Sequence, residues 1–270
     1  MKKRGIQSRD VAAAKAETLI EALPWINKMY GKTFVIKYGG SAMEDKELCA
    51  RVVADIELMK LMGVRVVLVH GGGKAINALL KRLDVPVKFK DGLRVTDPDT
   101  MEAVREVLIG KVNQELVWAL NEYGHNAVGI SGADGKTLKA EVVDPELGRV
   151  GRVREVDTNL INTILDDGYI PVVASVGCAP DGFLNINADA AAGKIAEAMG
   201  ADKLIFLTDT DGILVDSHNQ STRIARMDAA RARELIDSGL IAGGMIPKTQ
   251  NSIHAVEHGV GTVTVLDGRM

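Results

Sequence analysis

"TFVIKYGGSAM", residues 33–43, is the stretch on which the fold turns. Apart from Lys37, its first six residues are β-branched or aromatic, as a strand prefers. The run then meets two glycines, Gly39 and Gly40, which permit a turn that Cβ atoms would obstruct. A helical pattern follows, with Leu48, Val52, Ile56 and Met59 at spacings of three and four. A strand therefore ends on a cation, and the helix beyond it opens with unpaired N–H groups that suit an anion. Taken alone, the loop reads equally well as a turn and as a phosphate cradle.

"VLVHGGGK" (67–74) repeats the device. It ends the near-continuous apolar run 64–70, the pattern of a parallel strand covered on both faces. Further strands are expected at 126–130, 169–175, 203–208 and 261–266. Helices are expected at 44–62, from 71, from 98 to near 124, and at 157–167, 188–199, 228–238 and 245–258. This alternation predicts an α/β chain, a three-layer α/β/α sandwich on a mainly parallel open central sheet. Residues 86–95 read as short β structure, and "KTLKAEVVD" with "GRVGRVREVD" as antiparallel ribbon. A helix over 9–23 precedes everything, stopped by Pro24. Its face of Ala16, Leu19, Ile20 and Leu23 must dock on the body or on another subunit. A soft boundary near Gly200 divides a larger lobe from a smaller one.

The chain has 270 residues, enough for one large α/β domain or two lobes, and a net charge of −3 that gives no reason to expect nucleic acid. Cys49 and Cys178 make no disulfide framework and have no Cys/His neighbourhood of the zinc type. The start has a basic head, but Lys15, Glu17 and Glu21 interrupt what a signal peptide needs to be continuous. With no run of about 18 apolar residues, a soluble, cytoplasmic protein off the membrane is expected.

Two glycine loops at the carboxyl ends of neighbouring parallel strands would converge on one crevice and cradle one multiply charged group. "GADGKT" (132–137) is too short for a Walker loop, and "GGGKAI" places Ile76 where a dinucleotide fingerprint needs glycine. His70 reads as a base or, more simply, as a structural histidine. Arg94, in "KDGLRVT" (90–96), is either a surface residue or a fork for a carboxylate or phosphate. In "FLNINADAAAGKIA" (183–196), Asn185 and Asn187 share a face, and Asp189 starts a helix, where an acid is commonly a cap. "FLTDTDGIL" (206–214) suits a nucleotide pocket or a tight turn. "GGMIPK" (243–248) sets Lys248 beside a glycine pair or merely exposes it. No side chain is assigned to a metal.

In order along residues 33–270, "KYGGSAM", "LVHGGG", "DGLRVT", "NINAD", "TDTDGIL" and "GGMIPK" resemble the N-acetylglutamate kinases of the amino acid kinase superfamily. "DGLRVTD" looks like these kinases and unlike their relatives acting on aspartate, glutamate, carbamate or uridine monophosphate. The resemblance implies transfer from ATP with Mg²⁺ to the side-chain carboxylate of N-acetyl-L-glutamate, on the arginine pathway. It implies that Lys37 and Lys248 flank the transferring phosphoryl group and that Asp189 orients them. Gly39, Gly40 and Gly71, Gly72, Gly73 would line the phosphoryl and substrate side, with N–H bonds from Gly40 and Gly72. Arg94 would grip the α-carboxylate, and Asn185, with Asn187, would lie by the acetamido group. Thr208, Asp209, Asp211, Gly212 and Ile213, with Gly243 and Gly244, would hold the nucleotide.

The same resemblance divides the chain into a helix for oligomerisation (1–30), an acetylglutamate lobe (31–199) and a nucleotide lobe (200–270). It suggests a homo-oligomer, dimeric or hexameric through the first helix, with arginine or a PII-type protein as effector. The family pattern runs about two dozen residues past "TVTVLDGRM", so a weak or absent response to arginine is expected. Two other readings stay open: an aminoadipate-type relative and a non-catalytic sensor. A nicotinamide oxidoreductase fits least, since the glycine fingerprint fails.

Overall fold

The computed structural model describes residues 9–39, 43, 45–124, 126–210, 212–214, 219, 222–243 and 245–269. Helix α1 (Arg9–Met29) leads to β1 (Thr33–Tyr38), α2 (Lys46–Leu61), β2 (Arg65–His70) and α3 (Gly73–Arg82). A hairpin of β3 (Phe89–Lys90) and β4 (Leu93–Arg94) precedes a helical rod. The rod comprises α4 (Pro98–Arg105), a π-helical stretch (Glu106–Asn113) and α5 (Gln114–Glu122). Next come β5 (Ala127–Ser131), β6 (Leu138–Val142), β7 (Val150–Val156), α6 (Asn159–Asp166) and β8 (Ile170–Ala174). They are followed by β9 (Val176–Ala179), β10 (Gly182–Ile186) and α7 (Ala188–Ala198). The remainder is β11 (Lys203–Thr208), β12 (Ile213–Leu214), β13 (Arg223–Ile224), α8 (Ala229–Asp237), α9 (Met245–Glu257) and β14 (Thr262–Asp267).

Six strands form one parallel sheet in the order β14-β11-β1-β2-β8-β5. Their β-branched runs face cores on both sides, which is what a parallel sheet demands. On one face Phe34, Ile36, Val66, Leu68 and Val172 pack with the rod, α2 and α3. On the other Val35, Val67, Val69, Val173 and Phe206 pack with the small residues Ala191, Ala192 and Ala196 of α7. The period of two therefore turns Lys37 towards α7 and His70 towards the rod. β11 lies beside β1, so the two portions on either side of Gly200 share one sheet.

The expected antiparallel ribbon is present as β6 and β7, closed with β9 and β10 into a four-stranded ring. The 98–122 helix contains the π stretch, whose extra residue per turn aims the Asn113 amide into the sheet. Asn113 Nδ2 lies 2.9 Å from the Val172 carbonyl, and a Cβ at Gly129 would stand 1.9 Å from Asn113 Oδ1.

Helix α1 runs past Pro24, where the sequence pattern ended it. The proline and the residue four before it, Ile20, are both exposed, so water can take the carbonyl that Pro24 cannot bond. Its apolar face does not dock on the body: Leu19, Ile20 and Leu23 are at least half exposed, and contact is made further on, by Met29. Among the described residues, no helix is long and apolar enough to cross a membrane.

Candidate active site

A cleft of roughly 280 Å³ opens at the carboxyl ends of β1, β2 and β8. Lys37, Gly39, Gly71, Gly72, Gly73, Arg94, Asn185, Asn187 and Asp189 all line it. Lys248 joins through Asp189. Among the expected residues, Gly40, Asp211 and Gly244 lie outside the described residues. Thr208, Asp209, Gly212, Ile213 and Gly243 do not line the cleft; Thr208 ends β11, on the other side of β1, Asp209, Gly212 and Ile213 come just after it, and Gly243 precedes α9. A contact of 4.0 Å from Thr210 Oγ1 to Met245 Sδ ties that loop to the start of α9, the helix of Lys248.

The N-cap of α7 is Asn187, whose side chain accepts from the N–H groups of Asp189 and Ala190. Its extended backbone satisfies the cap, so Asp189 is released from the capping role common at such a position. Instead, Lys248 Nζ donates to Asp189 Oδ2 at 2.6 Å, and Lys37 Nζ stands 3.0 Å from Oδ1, off the line of a hydrogen bond. Burial pushes the Asp189 carboxyl up, but Lys37 and then Lys248 more than offset it and hold it below the ordinary carboxylate value. Lys248 also lies over the Phe206 ring, 5.0 Å from its centroid. Two cations against one anion leave the cluster with a net positive charge.

The glycines fit that charge. A Cβ at Gly39 would come within 2.6 Å of the Lys37 ammonium. Gly72 is extended, so its need for glycine is spatial: a Cβ there would lie 2.7 Å from Leu108. The amino termini of α3 and α7 both open on the cleft and add partial positive charge. Gly39→Ala should keep its melting temperature and lose up to about 10²-fold in turnover, because displacement by about 1 Å costs that much at a reacting centre. Unchanged turnover would show that Lys37 needs no such clearance.

Arg94 reaches the cleft through turn chemistry. Asp91 and Gly92 have φ of 52° and 77°, the positive values of a two-residue type I′ hairpin. The hairpin pairs Phe89 with Arg94 and lays the guanidinium over the ring at 4.9 Å. Nη2 donates to the Gly73 carbonyl at 3.1 Å, while Nη1 is buried with no partner. Burial lowers the pKa of the guanidinium. A buried fork with one arm unsatisfied suits a carboxylate. Asn185 Nδ2 donates to Thr96 Oγ1 at 3.1 Å, which itself donates to the Arg94 carbonyl at 2.7 Å.

His70 faces the other side and is fully buried. Its Nδ1 lies 3.0 Å from the Gly71 carbonyl and its Nε2 3.0 Å from Asn113 Nδ2. The tautomer that meets both carries its proton on Nδ1. Desolvation lowers its pKa from 6.5 to about 4, although the Gly71 carbonyl opposes this, so it is a neutral structural residue. Between those values the unfolded chain binds the extra proton, so this residue makes folding stability fall as pH drops from 6.5 towards 4. The slope is at most about 1.4 kcal/mol per pH unit. Denaturant titrations of wild type and His70→Gln over that range should diverge; parallel curves would contradict the assignment. Ser175, at the end of β8, also lines the cleft. The rule that strand carboxyl ends carry the ligands would have found it.

A model of the amino acid kinase family matches residues 32–267. The chain belongs to the amino acid kinase family. It is 52% identical over 259 residues to an acetylglutamate kinase of Caldanaerobacter subterraneus subsp. tengcongensis, covering 95% of this chain and 87% of that one. It is 48% identical to the chloroplastic acetylglutamate kinase of Arabidopsis thaliana, over 94% and 74% of the two. An N-acetylglutamate synthase from Neisseria gonorrhoeae, complexed with coenzyme A and N-acetyl-glutamate, superposes with a TM-score of 0.80 and 27% identity, covering 94% of this chain and 58% of that one. Giardia carbamate kinase shares the fold, with a TM-score of 0.69 and 16% identity over 88% and 93%. This family member is a kinase.

Proposed function

We infer that this kinase phosphorylates the side-chain carboxylate of N-acetyl-L-glutamate with ATP, giving N-acetyl-L-glutamyl 5-phosphate in arginine biosynthesis. The observation that carries the reading is the positively charged Lys37–Asp189–Lys248 cluster, beside a buried Arg94 with one free arm. The acetylglutamate kinases at about half identity support it.

The acceptor carboxylate is ionised at pH 7, so no general base is required. The chemical problem is bringing that anion to the γ-phosphoryl group of ATP. In this reading Lys37 and Lys248 hold the transferring group and stabilise its charge, with Asp189 setting their spacing. Arg94 takes the α-carboxylate and Asn185 lies by the acetamido group. The strand order supports a division of labour: the end of β11 and the segments after it and before α9 (Thr208, Asp209, Gly212, Ile213, Gly243) receive the nucleotide, and the β2–β8 side receives the acceptor. Among the described residues lining the cleft, the one acid is Asp189, engaged by both lysines. Mg²⁺ would therefore be held chiefly by phosphate oxygens of the nucleotide, and would supply charge neutralisation there.

The same proposal takes residues 31–199 as the acetylglutamate lobe and 200–270 as the nucleotide lobe, in the cytoplasm. It takes 1–30 as the oligomerisation segment, its exposed Leu19, Ile20 and Leu23 favouring a dimer or hexamer, with arginine or a PII-type protein as effector. The test is acyl phosphate trapped by hydroxylamine from purified protein, MgATP and N-acetyl-L-glutamate, with and without arginine. Hydroxamate that needs both substrates is the expected result. Folded protein silent with this acceptor, or as active with glutamate or aminoadipate, would overturn the reading.

A further inference from the structure

Away from the cleft, Glu197, near the carboxyl end of α7, meets His254 and His258 of α9 and the turn after it. One ligand atom from each lies within 4.8 Å of the others. We propose that these three side chains bind one divalent transition-metal ion of the Zn²⁺ class, which clamps α7 to α9.

The spacing of the histidines, four apart, sets them on one helix face. Their rings stack with centroids 3.8 Å apart and planes 4° from parallel, so each ring must turn a little to aim its lone pair at one ion. His258 Nδ1 lies 2.8 Å from the His254 carbonyl, and donating its proton there leaves the Nε2 lone pair outward. That is the arrangement by which a metal-binding imidazole is usually oriented. His254 Nδ1 and Glu197 Oε1 lie 2.6 Å apart, a direct contact that a cation held by both would replace. The second carboxylate oxygen, Oε2, is held by Lys194 at 2.7 Å. Two imidazoles and one carboxylate, with open positions for water, are a zinc-type set and a poor one for Mg²⁺ or Ca²⁺, which prefer oxygen.

Such a clamp has a structural consequence. Asp189 lies eight residues earlier on α7, about 12 Å along the axis. Lys248 lies six residues before His254 on α9. The ion would thus pin the far ends of the two helices whose near ends carry Asp189 and Lys248. Its binding rests on these three side chains alone and is separate from the substrate assignment.

The test uses tag-free, chelator-treated full-length protein titrated with Co²⁺. Visible d–d absorption should rise to one ion per chain, vanish on adding Zn²⁺ and persist in excess Mg²⁺. The melting temperature should climb with Zn²⁺ concentration, as for any ligand of the native state. In His254→Gln/His258→Gln, or in His258→Gln alone should the pair misfold, Co²⁺ affinity should drop roughly tenfold or more. Metal-free melting temperature and MgATP-dependent turnover should stay unchanged. Wild-type protein that gives no Co²⁺ absorption, or a variant that binds Co²⁺ as tightly as wild type, would overturn the proposal.

Discussion

Lys37→Met and Lys248→Met should each lower turnover by roughly 10²–10³, the usual cost of losing one preorganised donor to a transition-state charge. The Michaelis constant for the acceptor should move only a few-fold, since the ammonium groups act on charge that develops during transfer. Folding should survive. The wild-type cluster holds two cations against Asp189, so one truncation leaves a balanced pair and no stranded charge. Asp189→Asn is the opposite case: it removes the only anion and sets two ammonium groups against each other near Phe206. It should therefore cost stability as well as turnover. The double lysine variant should be little worse than the worse single one, because both act through the same phosphoryl position. Near-normal turnover in either single variant would remove the cluster from the reaction.

The sheet was legible because most of its strands are β-branched, largely apolar runs, and those of β1 and β2 end on glycines. The run expected at 33–38 is β1 to the residue, and 203–208 is β11. The closed ring was not legible. Its closure depends on pairs such as Asn185 with Val150 in parallel, a non-local contact that no local pattern encodes. Nor was the π stretch, since one extra residue in a 25-residue helical pattern barely disturbs its periodicity. In the site, glycines and strand-end cations announced themselves. The residues alone left the roles of Asn187 and Asp189 open, because two residues able to cap stand at one helix start and backbone geometry chooses between them; only the resemblance implied that Asp189 orients the lysines. His254 and His258 were not read as a pair, since Glu197 reaches them only through the packing of α7 on α9.

Arg94→Lys should reduce kcat/KM for the acceptor by about 10²–10³, mostly through KM, and leave the Michaelis constant for ATP alone. Truncating one member of a buried charged pair costs roughly 2–5 kcal/mol, and each 1.4 kcal/mol is tenfold. Lysine keeps the charge, so the loss would measure geometry. A guanidinium can give Nη2 to the Gly73 carbonyl, lie on Phe89 and still present Nη1; a single ammonium cannot do all three. The partner can be identified from the ligand's side. An acceptor with its α-carboxylate changed to a carboxamide should lose a similar factor on wild type and little more on Arg94→Lys. Full additivity of the two losses would mean that Arg94 and the α-carboxylate do not meet. The free arm of Arg94 would then have to serve another anion, and the side of the cleft assigned to the acceptor would need to be redrawn.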